Sequence, residues 1–337
     1  MLVLGIETSC DECSVAVVED GRRILGQVIA TQTTEHAPYS GVVPEIASRT
    51  HTEWISGVFS RALGEAEITA EELDAVAVTN RPGLSGSLVV GLSFAKGLAY
   101  GLRIPITGVD HVRAHLYAPQ LEREVGYPFL GVLVSGGHTI IAHVHEPLRM
   151  DILGTTIDDA CGEAFDKVAK FYQLGYPGGV AIDRLAAEGD PRAFAFPDAN
   201  LHKGEHRYDV SYSGLKTAVI NQLDQFWDRD YEKSKANIAA SFQKSAIDLL
   251  LRRVFRAVAD TGLTRVVAGG GVAANSYLRS ALSERSEIEA VYPSLELCTD
   301  NGAMVAGLGY HLLTSGHEDG LDLDASARVQ GFRRTYP

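Results

Sequence analysis

The feature that most constrains this chain is a meander that occurs twice. Residues 2–6 and 14–18 read as buried strands joined by the polar tip Glu7-Thr8-Ser9-Cys10-Asp11-Glu12; Asp20-Gly21 marks a hairpin turn, and 23–28 continues as a third strand. The same order returns near Phe129, with 130–134, the turn Ser135-Gly136-Gly137-His138, then 139–143 and 149–153. Leu4-Gly5-Ile6 and Leu130-Gly131-Val132 open the two meanders alike. Such self-similarity indicates an internal duplication. A chain of 337 residues is long for a single core, so two lobes are expected.

The two tips differ in chemistry. The first presents Thr8, Ser9, Asp11 and Glu12, whereas Gly136-Gly137 in the second lets a ligand approach the backbone closely. Facing one another across a cleft, such tips suit a nucleotide whose phosphates lie against backbone N–H groups; the plain reading is two unrelated turns. Further glycine loops follow. Strand 265–268 runs straight into Gly269-Gly270-Gly271 and then a helix ending near Leu282, a nucleotide-site pattern that is neither a dinucleotide fingerprint nor a P-loop. Tyr176-Pro177-Gly178-Gly179 makes a second tight loop before Asp183. A helix over 157–171 places Asp159, Glu163 and Asp166 on one face. That stripe is either solvated and neutralised by Lys167 and Lys170, or it supplies a carboxylate for ribose hydroxyls.

Elsewhere strands alternate with helices: a proline-led helix from 44 to 63, strand 75–79, helix 88–101 and strand 106–109. That order implies a mostly parallel sheet, with ligands beyond the carboxyl ends of its strands. His111 and His115 begin a helix at such a position. Four residues apart, they share a face and can reach one divalent metal. They are equally compatible with a half-buried helix that binds nothing. Asp300 follows a strand expected at 295–298 and precedes a helix running to 312; it is either an N-cap or the third ligand.

Composition excludes several classes. No secretory segment or membrane-length apolar run is present, so a cytoplasmic protein without membrane contact is expected. Four cysteines are too few for a disulfide scaffold, and the lone pair Cys10-Asp-Glu-Cys13 is a weak metal signal. A net charge of −13 argues against nonspecific nucleic-acid binding. Short basic stretches at Arg252-Arg253 with Arg256, at Arg333-Arg334 and over 202–207 read as ordinary solvated faces.

Nine motifs in order carry a family resemblance: Gly5-Ile-Glu-Thr-Ser-Cys-Asp-Glu12, Gly41-Val-Val-Pro-Glu-Ile-Ala-Ser-Arg49, His111-xxx-His115, Val134-Ser-Gly-Gly-His-Thr139, Asp158-Asp-Ala-Cys-Gly-Glu-Ala-Phe-Asp-Lys167, Tyr176-Pro-Gly-Gly179, Ser213-Gly-Leu-Lys-Thr217, Gly269-Gly-Gly-Val-Ala-Ala-Asn275 and Cys298-Thr-Asp-Asn-Gly-Ala-Met304. Together they resemble the tRNA N6-adenosine threonylcarbamoyltransferase (TsaD) family over nearly the whole chain. The resemblance implies an α/β, duplicated actin/Hsp70-type (ASKHA) ATPase-like fold, two lobes around a nucleotide cleft. The expected lobes are 1–125 with 303–337, and 126–302 with an insertion near 190–210. It also implies transfer of a threonylcarbamoyl group from threonylcarbamoyl-AMP to N6 of adenosine 37 in tRNAs reading ANN codons.

Carried over by motif, His111, His115 and Asp300 match metal ligands for one divalent ion per chain, iron first and zinc second. Val134, Ser135, Gly136, Gly137, His138, Asp166, Gly179, Asp183 and Asn275 match nucleotide and acyl-adenylate positions. Asp11 and Glu12 match acidic residues near the reaction centre. The implied partners are tRNA, a smaller paralogous (TsaB-like) subunit docking on the N-terminal lobe, a TsaE-like P-loop ATPase, and a separate enzyme that supplies threonylcarbamoyl-AMP. Three rivals are weighed against this reading. A metal-dependent peptidase would need Glu directly after the first histidine, where Val112 stands. An ATP-dependent sugar-kinase-like enzyme shares the fold but needs no two-His-one-carboxylate site. A catalytically silent scaffold would not need the ligand set at all.

Overall fold

The computed structural model describes residues 1–197 and 206–328. The last part of the 202–207 stretch is thus described, while its first four residues, the Arg333-Arg334 pair and the centre of the 190–210 insertion lie outside.

Two five-stranded sheets organise the chain, in the orders β3-β2-β1-β4-β5 and β10-β9-β6-β7-β8. The first is built from β1 (Leu2–Glu7), β2 (Glu12–Glu19) and β3 (Arg23–Thr31), followed by a short helix α1 (Thr33–His36) and the long α2 (Pro44–Ala66). It then continues through β4 (Ala75–Arg81), α3 (Ser85–Leu102), β5 (Ile106–Asp110) and α4 (His111–Tyr117). The second sheet starts with β6 (Phe129–Val134), β7 (Thr139–Glu146) and β8 (Arg149–Thr155). A helical layer follows: α5 (Cys161–Tyr172), α6 (Gly178–Ala186), α7 (Ser213–Asn221), α8 (Leu223–Phe226) and α9 (Lys235–Thr261). The chain closes with β9 (Arg265–Gly269), α10 (Ser276–Ser283), β10 (Glu289–Val291), α11 (Leu295–Cys298) and α12 (Gly302–Thr314).

The repeat is real at the level of pairing. β1 and β6 each bond one antiparallel hairpin partner and one parallel strand, so both sheets are mixed rather than mostly parallel. Hairpins dictate this, because a tight turn can only reverse the chain. The central strands are buried on both faces, which is why they read as unbroken apolar runs. α12, the last helix, packs back on the first sheet, its Met304, Val305 and Leu308 meeting Val3, Ala16 and Val109.

Two expected elements differ. Residues 295–298 form one helical turn, not a strand; the last strand is β10, paired in parallel with β9. Leu-Glu-Leu-Cys alternates like a strand, but Pro293 removes an N–H that a ladder would use and the chain turns there. The helix expected from 157 begins at Cys161, because Thr156 Oγ1 donates to the Asp159 carbonyl at 2.5 Å and holds the preceding residues in a turn. Asp159 therefore lies off the helix.

Candidate metal centre

α4 starts where β5 ends. Asp110 caps it, its carboxylate accepting the N–H groups of Val112 and Arg113 at 3.0 and 3.2 Å. His111 and His115 then fall on one face, both buried. Asp300 approaches from the loop between α11 and α12. It is not the N-cap: Asn301 takes that role, accepting the Met304 N–H at 2.9 Å, and so leaves Asp300 free to face the histidines.

Three atoms converge. His111 Nε2 and His115 Nε2 are 3.2 Å apart, and Asp300 Oδ1 lies 3.0 Å from His115 Nε2 and 3.6 Å from His111 Nε2. Ligand atoms bonded to one divalent ion at about 2.0–2.2 Å stand roughly 3–3.5 Å from one another, so the triangle fits. Among the described residues these three are the group able to hold a metal ion. Two neutral imidazoles and a carboxylate leave coordination positions open, as catalytic rather than structural sites do.

The surroundings sort the charges. Burial opposes ionisation of His111, but Asp300 and Glu7 outweigh it and push the imidazole up to about 9. His115 goes the other way, lowered by burial and then by the neighbouring His111. Asp300, though buried, is held well below the usual carboxylate range by His111 and His115. His138, at the second tip, is lowered to about 4 by burial and then by His111 and His115, which places that tip beside the centre. Glu12 is pushed well above its ordinary value by burial, Asp300 and Asp11. The first tip, the second tip and the three ligands thus share one electrostatic neighbourhood.

The first tip is anchored by a one-directional relay. Val43 N–H donates to His36 Nδ1 at 3.3 Å, which requires His36 Nε2–H to donate to Gln32 Oε1 at 3.2 Å. Gln32 Nε2 then donates to His51 Nδ1 at 3.2 Å, and His51 Nε2–H donates to the Cys10 carbonyl at 2.9 Å. Each ring nitrogen is left one role, so both tautomers are determined. Cys13 is no partner for Cys10: it sits in the core on β2, burial pushing its thiol up to about 12.

The second tip is open. A Cβ on Gly136, Gly137, Gly179 or Gly271 would meet nothing within 4 Å. Gly270, at φ +87°, brings the triple-glycine turn so close that a Cβ there would lie 2.5 Å from the Val134 carbonyl. The remaining expected residues form two pairs. Asp166 Oδ1 accepts the Gly178 N–H at 2.8 Å beside Gly179. Asp183 accepts from Ser276 Oγ at 2.7 Å and from Asn275 Nδ2 at 3.1 Å, while Asn275 also caps α10. Burial, then Asp11 and Asp166, push the Tyr176 hydroxyl up. The rest of the acidic stripe is neutralised, Asp159 by Lys167 and Lys216 and Glu163 by Lys167.

Sequence reasoning passed over Glu7. It lies fully buried at the end of β1, and its carboxylate accepts from His111 Nδ1–H at 2.9 Å. An acid ending an apolar strand was the available signal. The peptidase reading finds no support here, since Val112 is buried in the core and no carboxylate replaces it on that helix. No helix among the described residues is long and apolar enough to cross a membrane.

Comparison with known proteins adds a family and a fold. Residues 23–307 match the family model "TsaD: tRNA N6-adenosine threonylcarbamoyltransferase". A Treponema denticola protein named tRNA N6-adenosine threonylcarbamoyltransferase is 58% identical over 334 residues, covering 99% of each chain. A Borreliella burgdorferi protein of the same name is 51% identical over 336 residues, covering 100% of this chain and 96% of that one. Among solved structures, full-length HypF in its phosphate- and nucleotide-bound form aligns with a TM-score of 0.62 at 14% identity, over 94% of this chain and 56% of that one. Component A of the Acidaminococcus fermentans (R)-2-hydroxyglutaryl-CoA dehydratase aligns with a TM-score of 0.55 at 16% identity, over 93% of this chain and 99% of that one. These likenesses concern the fold, which is the duplicated actin/Hsp70-type α/β architecture.

Proposed function

The chain belongs to the tRNA N6-adenosine threonylcarbamoyltransferase family, and from that premise we propose how its residues divide the reaction. The protein is a transferase that places a threonylcarbamoyl group on N6 of adenosine in tRNA. We take the donor to be threonylcarbamoyl-AMP and the acceptor to be adenosine 37 of tRNAs reading ANN codons. The observation that carries a metal-assisted version is the convergence of His111 Nε2, His115 Nε2 and Asp300 Oδ1, with sides of 3.2, 3.0 and 3.6 Å.

A divalent ion held there would supply Lewis acidity toward the carbamoyl carbonyl and the departing phosphate. Two imidazoles and one carboxylate form the donor set of non-heme iron sites, so iron is the expected metal and zinc the second. The chain's own residues do the rest. Backbone N–H groups of Gly136 and Gly137, in the turn that Ser135 and His138 close after Val134, hold the phosphate against an open glycine surface. Asp166 with Gly179, and Asp183 with Asn275, line the nucleotide side of the cleft. Asp11 and Glu12 are the carboxylates set against the adenosine amine, one to take its proton and the other to orient it.

The lobes are 1–125 with 303–337, and 126–302; the packing of α12 on the first sheet supports that division. A smaller paralogous subunit docks on the N-terminal lobe, a reading supported by Val89 and Tyr100, exposed at 50% and 74% on α3. A P-loop ATPase serves repeated turnover, and the site of action is the cytoplasm. The test is reconstitution of metal-loaded protein with its partners, threonylcarbamoyl-AMP and tRNA, followed by mass analysis of nucleosides. The modified adenosine is expected, and the double variant His111→Ala with His115→Ala should not make it. Full activity in that variant would end the metal-assisted reading.

A further inference from the structure

We propose that Glu7 is the positioning residue that sets the tautomer of His111 and thereby its capacity to bind metal; this rests on the His111/His115/Asp300 reading above. Glu7 is fully buried and its carboxylate is held by three donors. Oε1 accepts the Ser9 N–H at 2.6 Å, and Oε2 accepts the Thr79 hydroxyl at 2.6 Å and His111 Nδ1–H at 2.9 Å. A carboxylate only accepts, so His111 Nδ1 must carry a hydrogen, and in the neutral ring that binds a metal Nε2 is left with its lone pair toward His115 and Asp300. Ser9 Oγ, 3.2 Å from the same nitrogen, can donate or accept and imposes no choice.

His115 has no such support. Its Nδ1 is buried and lacks a hydrogen-bond partner among the described residues. The two ligands are thus unequal, one oriented by an outer carboxylate and one only by its helix. Outer carboxylates of this kind orient the ring and raise its basicity as a ligand, and their loss typically weakens metal binding about 10–100-fold.

Glu7→Gln separates the explanations because it keeps size and shape. With its amide oxygen toward Ser9 N–H, the amide nitrogen faces His111 Nδ1 and donates to it, moving the hydrogen to Nε2 and blocking the ligand position. Flipped, the amide nitrogen opposes Ser9 N–H instead. Thr79→Val is the control, since it removes one donor from the same carboxylate and leaves the Glu7–His111 bond.

Zinc affinity of the full chain, measured by chelator competition, reads the outcome. Wild type should bind one Zn²⁺ and Asp300→Ala should lose it; absence of zinc binding in wild type would refute the underlying metal-centre reading rather than the role of Glu7. Glu7→Gln should bind about 10–100-fold more weakly, with Thr79→Val within about twofold of wild type. Equal affinity in Glu7→Gln, or an equal loss in Thr79→Val, would overturn the proposal. If Glu7→Gln does not fold, the zinc-loaded wild type still decides: its ¹⁵N–¹H histidine spectrum should show His111 protonated at Nδ1, and a proton at Nε2 refutes the role.

Discussion

The tips of the two meanders occupy equivalent positions and do opposite things. The β1–β2 tip is polar and fastened, buried over Glu7, Thr8 and Ser9, with Glu7 on His111 and the Gln32–His36–His51 relay holding the Cys10 carbonyl. The β6–β7 tip is closed by one short turn, Ser135 N–H donating to the His138 carbonyl at 2.8 Å, and its two glycines face open space. In the first tip the Glu7 carboxylate is held in one geometry because both of its oxygens are partnered. A bare tip lets a charged ligand meet backbone N–H groups directly. Duplication supplied a common frame, and the division of labour lies in what each tip carries.

The strongest way to break that comparison is at the metal side. His115→Ala removes a ligand and should lower transferase activity on the order of a thousand-fold, the rate equivalent of several kcal/mol of lost charge stabilisation. Metal analysis should show loss of the bound ion while the circular-dichroism spectrum is kept. An active, metal-loaded variant would mean that the first tip serves a different purpose.

The matched glycines test the frame itself. A Cβ on Gly5 would lie 2.0 Å from the Gly302 carbonyl and 2.6 Å from Ala306 N, which is backbone of α12. Gly5→Ala should therefore cost more than about 3 kcal/mol, beyond the usual overpacking penalty. At the equivalent Gly131 a Cβ would meet methyl groups of Leu116 and Val144 at 2.9 and 3.0 Å, and side chains can give way. Gly131→Ala should cost about 1–2 kcal/mol. Urea unfolding of the two variants checks the difference; equal losses would show that the lobes pack more alike than their contacts indicate.

At the second tip, Gly136→Val should raise the KM for the acyl-adenylate about 10–100-fold, the loss of a charge-assisted backbone hydrogen bond. Stability and zinc content should not change, because the added side chain has open space. Unchanged KM would sink the cradle. The smallest effect belongs to the relay. His51→Asn removes the hydrogen bond to the Cys10 carbonyl and should lower stability by about 1 kcal/mol, with kcat reduced more than KM if the tip positions Asp11 and Glu12. A fall confined to stability would make the relay purely structural.

Much of the frame was legible in the residues. Short apolar runs and turn pairs such as Asp20-Gly21 specify the hairpins locally, since pleat and turn geometry depend on neighbours in sequence. The start of α4 was legible too, because strand, cap and histidines are contiguous. Residues 295–298 were not. Four alternating residues satisfy either period, and only the pairing of β10 with β9 shows which segment completes the sheet. Asp300 was ambiguous for a related reason. Asp and Asn are both good N-caps, and which one caps α12 depends on where the loop from α11 enters.

The sequence by itself determined the repeated meander, the helical spacing of His111 and His115 and the glycine turns, all features whose physics spans a few residues. Tertiary structure decided what the metal centre is made of. Glu7 lies 104 residues from His111 and 72 from Thr79, and Asp300 lies 185 from His115. No local rule brings these together; two sheets and a returning C-terminal helix do. Inside them, low dielectric and full hydrogen bonding turn an isolated strand-end acid and a loop aspartate into partners of two histidines.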